Sequence, residues 1–167
     1  MADGLVYLTL KFLHIVASIV LLGNFLALAA WKRVADRSGD VSAMAFTTDR
    51  IHALDGRITA WSGLAVFAFG YIGIRYVAEV RIANAPFALW GLILMTVAGL
   101  LWYFGMRPME VRMADLAESA LAKGQNVGRD YWRASGIWFL LNALVVLLIL
   151  VIIGLMVYKP DIWPYYD

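Results

Sequence analysis

The chain has 167 residues, 63% of them hydrophobic, with a mean hydropathy of +0.76 and a formal net charge of +2. Soluble domains are roughly half apolar, so this composition excludes a soluble globular fold and predicts one integral membrane domain over residues 1–167. The sequence has no cysteine and only two histidines, which excludes disulfides, thiolate metal sites and an all-histidine metal cage within one chain.

The first predicted span runs from about Leu5 to Trp31 and is long enough to cross a bilayer. Lys32 follows as part of a basic stop at the membrane boundary. No basic region precedes the span and no cleavage pattern follows it, so we expect a retained helix rather than a signal peptide. Within it, Lys11 and His14 stand three positions apart and share one helical face. Because ionisable side chains are costly in lipid, this face is predicted to point into a helix bundle.

Three further spans follow, over about residues 58–77, 87–106 and 135–158. The first connection is predicted to contain a short amphipathic helix, roughly Val41–His52, and the third a second one around Met109–Ala120. The second connection, residues 78–86, is short and contains helix breakers. The predicted fold is therefore an all-α bundle of four transmembrane helices with amphipathic connections.

The basic residues predict the orientation of this bundle. Most of them fall in the first and third connections, whereas the opposite side has only Arg75, Arg81 and Lys159, leaving aside Lys11 within the first span. Because cytoplasmic loops are enriched in lysine and arginine, we expect cytoplasmic long connections and both termini outside. The positive charges are thus topology signals, and no nucleic-acid partner is expected.

Several segments carry a resemblance to known membrane proteins. They are Lys11-Phe12-Leu13-His14-Ile15, Leu21-Leu22-Gly23-Asn24, Tyr131-Trp132-Arg133 and Met156-Val157-Tyr158-Lys159-Pro160. Over nearly its whole length the chain resembles a bacterial family of predicted four-helix integral membrane proteins of unknown function, which implies a multi-pass protein of the bacterial inner (cytoplasmic) membrane. More distantly, Lys11-x-x-His14 is similar to the first helix of the haem-containing protoporphyrinogen oxidases and of the copper-resistance D membrane proteins. The oxidase resemblance implies a role in haem binding or activity for His14 alone.

His14 is the first candidate site residue, at an estimated depth of ~13 Å in the bilayer. It is a hypothetical axial ligand of haem b, a metal ligand or a proton relay; the alternative is a neutral histidine bonded to Tyr71 or a backbone carbonyl. Met95 has a similar predicted depth and is the candidate second axial ligand, against the alternative of simple packing. Lys11 would neutralise a haem propionate or extend its ammonium group to the outer headgroups.

A second charged cluster occupies residues 49–57 at the mouth of the second span. One hypothesis is that this cluster, which contains His52, binds a metal ion or an anion. The favoured alternative pairs Asp49 and Asp55 with neighbouring arginines at the membrane surface. His52 is expected at the cytoplasmic boundary, too far from His14 for both to bind one haem.

Three functional classes stay open at this point. The first is a haem-binding or redox-linked membrane protein that uses His14, with Lys11 in support. The second is a non-catalytic accessory subunit that packs on other membrane proteins or on further copies of itself. The third is a permeation or metal-handling protein, which the lack of cysteine disfavours. The lipid bilayer is a partner in all three.

Overall fold

The computed structural model describes residues 2–77 and 85–160, and all regular elements within these residues are helices. The α-helices are α1 (Ala2–Ser38), α2 (Val41–Ile72), α3 (Pro86–Leu100), α4 (Arg107–Ala122) and α5 (Arg129–Tyr158). A π-helical segment, Gly73–Val77, extends α2, and a second one, Leu101–Met106, joins α3 directly to α4. Most of the predicted second connection lies outside the described residues.

Within the described residues, four continuous helical stretches are long and apolar enough to cross a membrane: Gly4–Ser38, Val41–Arg75, Pro86–Ala122 and Arg129–Tyr158. They are α1, α2 with its π-helical extension, the joined α3 and α4, and α5. This confirms the prediction of an all-α membrane protein with four spanning helices.

The structure differs from the sequence prediction at the two amphipathic segments. They do not form separate helices but continue the neighbouring spans, because the backbone stays helical through Gly56 and through Pro108. Gly56 is an isolated glycine, which a helix tolerates at a small cost. Pro108 lies at the start of α4, directly after the π-helical segment. Proline is tolerated in the first turn of a helix, where its missing N–H is not required.

Sharp turns connect α1 to α2 and α4 to α5. Gly39 has a φ of 70° and Gly124 a φ of 61°, a left-handed conformation that glycine adopts without strain. Asp40 then caps α2, since its side chain accepts a hydrogen bond of 2.9 Å from the Ser42 backbone N–H. These two turns make α1 antiparallel to α2 and α4 antiparallel to α5, and they lie at the same end of the bundle.

The tightest part of the core lies at that same end. Met44, Ile51, Met113 and Trp138 are almost completely buried there, from α2, α4 and α5. Polar side chains are buried among them, including Lys32, Asp55 and Glu110, each with no exposed surface. A buried charge is costly unless it is paired, so the partners of these three groups define the polar sites of the bundle.

Candidate functional site

The carboxyl group of Asp55 is held in the core by donors from three helices. Asn24 of α1 donates to Oδ1 at 3.0 Å, and the Thr59 hydroxyl, one turn along α2, donates to the same oxygen. The indole N–H of Trp102, in the π-helical segment before α4, donates to Oδ2. Asn24 also donates to the Thr59 hydroxyl at 3.0 Å. Asp55 is therefore an oriented internal group.

This placement corrects the prediction that Asp55 pairs with an arginine at the membrane surface. Asp49 does lie near Arg50, with 3.5 Å between Nε and Oδ2, and both side chains are more than half exposed. Asp55 instead lies on the face of α2 that also carries Ile51 and Thr59, spaced four residues apart. Because α2 is continuous through this region, that spacing turns the carboxyl group inward.

Glu110 of α4 lies close enough to Asp55 for the two carboxyl groups to interact electrostatically, and it has no exposed surface. Trp138 of α5 donates its indole N–H to Oε1 at 3.2 Å, and Arg107 Nη1 lies 3.4 Å from Oε2. Two carboxyl groups can share a hydrogen bond only when one of them carries a proton. We call Asp55 and Glu110 the carboxyl pair.

Arg107 crosses from α4 to α2 beside this pair. Its Nη1 donates to the backbone carbonyl oxygen of His52 at 2.7 Å, and its guanidinium lies 5.9 Å from the centre of the Trp102 ring. A Cβ at position 56 would lie 2.7 Å from the same Nη1, so the glycine there makes room for the guanidinium. The charge of Arg107 is thereby fixed next to Glu110.

His52 connects the carboxyl pair to the outside of the bundle. Its Nδ1 lies 3.6 Å from Oε2 of Glu110, while 35% of its side chain is exposed. This nitrogen is buried and has no hydrogen-bond partner among the residues that the structure describes. No group of three or more histidine, aspartate or glutamate side chains in the described part of the chain has a geometry that could hold a metal ion.

A half-open cavity at the surface of the bundle lies on the other side of the carboxyl pair. It has a volume of about 230 Å³ and is bounded by α1, α2, α5 and the segment that contains Met95 and Trp102. Its walls are mainly apolar, but they include Thr59 and Trp102, both of which donate to Asp55. The carboxyl pair thus lies between the partly exposed His52 and an apolar cavity.

His14 lies further along α1, away from the carboxyl pair. Its Nδ1 is 2.8 Å from the backbone carbonyl oxygen of Val66, and its ring occupies the space that a side chain at Gly70 would fill. Since a carbonyl oxygen accepts, Nδ1 carries the proton and Nε2 is the atom available for coordination. A neutral histidine bonded to a backbone carbonyl oxygen is the alternative to a ligand role. The same bond is also common in histidines that bind metals, where it fixes the ring through the nitrogen that does not contact the metal.

Of the other two residues predicted for a haem site, Met95 lies away from His14, whereas Lys11 lies one turn before it on α1. The Met95 methyl carbon lies 3.7 Å from the position of a Cβ on Gly63, whereas the His14 ring lies against Gly70. Seven helical residues separate these glycines, or ~10 Å along the axis. The Lys11 side chain is exposed.

A second buried polar cluster surrounds Lys32, which the sequence predicts only as part of a basic stop at the membrane boundary. Lys32 has no exposed surface, and its ammonium group lies 3.0 and 2.8 Å from the two carboxylate oxygens of Asp36. The same carboxylate accepts from the Tyr131 hydroxyl at 2.6 Å and from Ser135 at 2.9 Å. This Lys32–Asp36 cluster joins α1 to α5, and all its charges are paired.

Comparison with known proteins gives one family. The model of the family described as "Predicted integral membrane protein (DUF2269)" matches residues 8–160, which is most of the chain. No curated protein and no solved structure matches. The match agrees with the four spanning helices and assigns no chemistry to any residue.

Proposed function

We propose a proton-handling role for this chain, which belongs to the family of integral membrane proteins whose model it matches. In this role the carboxyl pair binds a proton inside the bundle and His52 exchanges it with the aqueous side. The supporting observation is that Asp55 and Glu110 have no exposed surface and lie close enough to interact electrostatically. Buried ionisable groups of membrane proteins often mark proton pathways.

The contacts give each residue a distinct part in this role. His52 is partly exposed, so it can collect a proton and pass it to Glu110, whose Oε2 is 3.6 Å away. From Glu110 the proton passes to the neighbouring carboxyl group of Asp55. Arg107 places a positive charge beside Glu110 and so stabilises the pair when the proton leaves.

Infrared spectroscopy of the purified protein tests whether the pair holds a proton. We expect a carbonyl band of a protonated carboxyl group that shifts in D₂O and is lost in both Glu110→Gln and Asp55→Asn. Glu118→Gln is the matched control, because Glu118 is an exposed glutamate on the same helix. A wild-type spectrum without such a band, or a band unchanged in both variants, would refute the proposal.

Proton transfer itself can be measured in liposomes that contain a pH-sensitive dye. We expect His52→Ala to slow proton movement into the vesicles, while His14→Ala leaves the rate unchanged because His14 is not on the route. Equal rates in wild type and His52→Ala would contradict the proposed entrance even if the carboxyl pair proves to be protonated.

Haem binding by His14 is the second candidate function, and one observation favours it. The hydrogen bond from Nδ1 to Val66 fixes the ring and leaves Nε2 for coordination. A haem ligated there would supply one-electron chemistry. The described residues fit it only in part, because the cavity of about 230 Å³ is not lined by His14 and Met95 lies against Gly63. His14 is therefore the one protein ligand that we propose.

Absorption spectra of the detergent-purified protein, oxidised and then reduced, decide this second candidate. A Soret band that shifts on reduction and disappears in His14→Ala is the expected result. A colourless preparation from cells with adequate haem supply would refute haem binding by this protein. Because the infrared test does not involve haem, the two candidate functions succeed or fail independently.

Location and assembly are proposed from the charge distribution and composition. We place the protein in the bacterial inner membrane with both termini outside, since basic residues concentrate in the two long connections. Reporter fusions at each terminus and in the connection after Ser38 test this orientation. An accessory role, in a larger complex or a homo-oligomer, stays a prediction, which size measurements after purification in mild detergent would examine.

A further inference from the structure

Arg57 has a different environment from the charged residues around it. Asp49 lies beside Arg50, and Asp55 is turned into the core, so neither of the acids closest in sequence neutralises Arg57. Within residues 2–77 and 85–160, no carboxylate oxygen lies within 4.0 Å of its guanidinium. The side chain is exposed on the outer surface of α2. This leaves an exposed positive charge without a carboxylate partner among the described residues.

A groove between α1 and α2 begins at this arginine. Its volume is about 460 Å³, and apart from Arg57 its walls are almost entirely apolar. The lining includes Leu13, Val16 and Val20 from α1, and Trp61, Ala65 and Phe69 from α2. Trp61 is 72% exposed beside the arginine, one turn further along the helix. The groove therefore combines one charged end with a long apolar wall.

The dimensions of the groove match one leaflet of a bilayer. Twelve residues of α2 separate Arg57 from Phe69, or ~18 Å at the helical rise. Half of the hydrocarbon core of a bilayer is ~15 Å thick. Arg57 directly precedes the predicted second span, so its guanidinium is expected at the level of the headgroups, with the apolar wall beside the acyl chains. A tryptophan next to it is typical of that interface.

We propose that this groove is a binding site for an anionic phospholipid. The Arg57 guanidinium contacts the phosphate and the anionic headgroup, and one acyl chain lies along the apolar wall towards Phe69. Arginine suits this contact because its planar donors can bind a phosphate through two parallel hydrogen bonds. The single unpaired cation favours an anionic lipid over a zwitterionic one, whose own ammonium group would be repelled.

Native mass spectrometry of the full-length protein with an equimolar mixture of phosphatidylglycerol and phosphatidylcholine, with identical acyl chains, tests the site. We expect the wild type to retain phosphatidylglycerol preferentially, and Arg57→Gln to lower that preference about fivefold, the typical effect of one basic residue at a membrane surface. Arg57→Lys should keep most of it. Arg50→Gln is the matched control, since Arg50 is exposed on the same helix but lies beside Asp49.

Two outcomes would overturn the proposal. One is the same lipid preference in Arg57→Gln as in the wild type. The other is an equal loss in Arg50→Gln, which would indicate diffuse surface attraction rather than a site. A groove-filling change, Ala65→Leu, gives an independent measure: it should reduce the retention of both lipids, and unchanged retention would contradict an acyl chain in this groove. Monodisperse elution of each variant ensures that folded proteins are compared.

Discussion

Replacement of Asp36 by alanine is the most direct test of how the two ends of the chain are held together. The carboxylate accepts from the Lys32 ammonium at 2.8 and 3.0 Å, from Tyr131 at 2.6 Å and from Ser135 at 2.9 Å. Its removal leaves a cation with no exposed surface and no counter-charge. Breaking one side of a buried pair typically costs about 3–5 kcal/mol, a large part of a stability of about 5–15 kcal/mol.

Detergent titration, monitored by circular dichroism and tryptophan fluorescence, would give the free energy of unfolding of each variant. Ser135→Ala removes one hydroxyl and should cost only about 1 kcal/mol. Adding Lys32→Met to Asp36→Ala should restore at least half of the lost stability, because the unpaired charge is then gone. Asp49→Ala, at an exposed pair, should change stability by less than about 1 kcal/mol. If Asp36→Ala matched that control, the assigned pairing would be wrong.

Three glycine substitutions test close contacts in the bundle. Gly70→Ala places a Cβ 2.8 Å from His14 Cε1, so the ring must move. The free energy of unfolding, measured by detergent titration, should fall by about 1–3 kcal/mol. An unchanged value would contradict the contact. Gly56→Ala meets the flexible end of Arg107 at 2.7 Å, so we expect a small change in stability but a shifted carboxyl infrared band. Gly23→Ala meets nothing within 4 Å and should stabilise α1 by about 0.5–1 kcal/mol; a loss of stability would show a contact at that surface.

The spanning helices were predictable because long apolar runs have few other interpretations. The continuity of the helices was harder to predict. Glycine and proline often end helices, yet Gly56 and Pro108 lie within continuous ones. Gly56 contacts the Arg107 side chain, and Pro108 follows a π-helical segment. Whether such residues end a helix depends on the tertiary contacts around them. Local propensity cannot supply that information.

The carboxyl pair was missed for a related reason. Asp55 has arginines nearby in sequence, so it resembles a surface charge, and its partner Glu110 lies on a distant helix. One local signal was present, since Ile51, Asp55 and Thr59 share a helical face once α2 is taken as continuous. The partners Trp102 and Glu110 depend on the packing of α4 against α2, which a single sequence does not define.

The length of the helices determines whether the buried polar clusters can be separated from the membrane-spanning part of the protein. A helix of 37 residues, such as α1, extends ~55 Å, whereas the hydrocarbon core of a bilayer is ~30 Å thick. The carboxyl pair and the Lys32–Asp36 cluster therefore lie on the same uninterrupted helices as the membrane anchor. No soluble fragment can be excised with either cluster intact. A cut at Gly39 or Gly124 would instead separate one spanning helix, α1 or α5, from the other three. Complementary fragments expressed together are therefore the practical way to divide this protein.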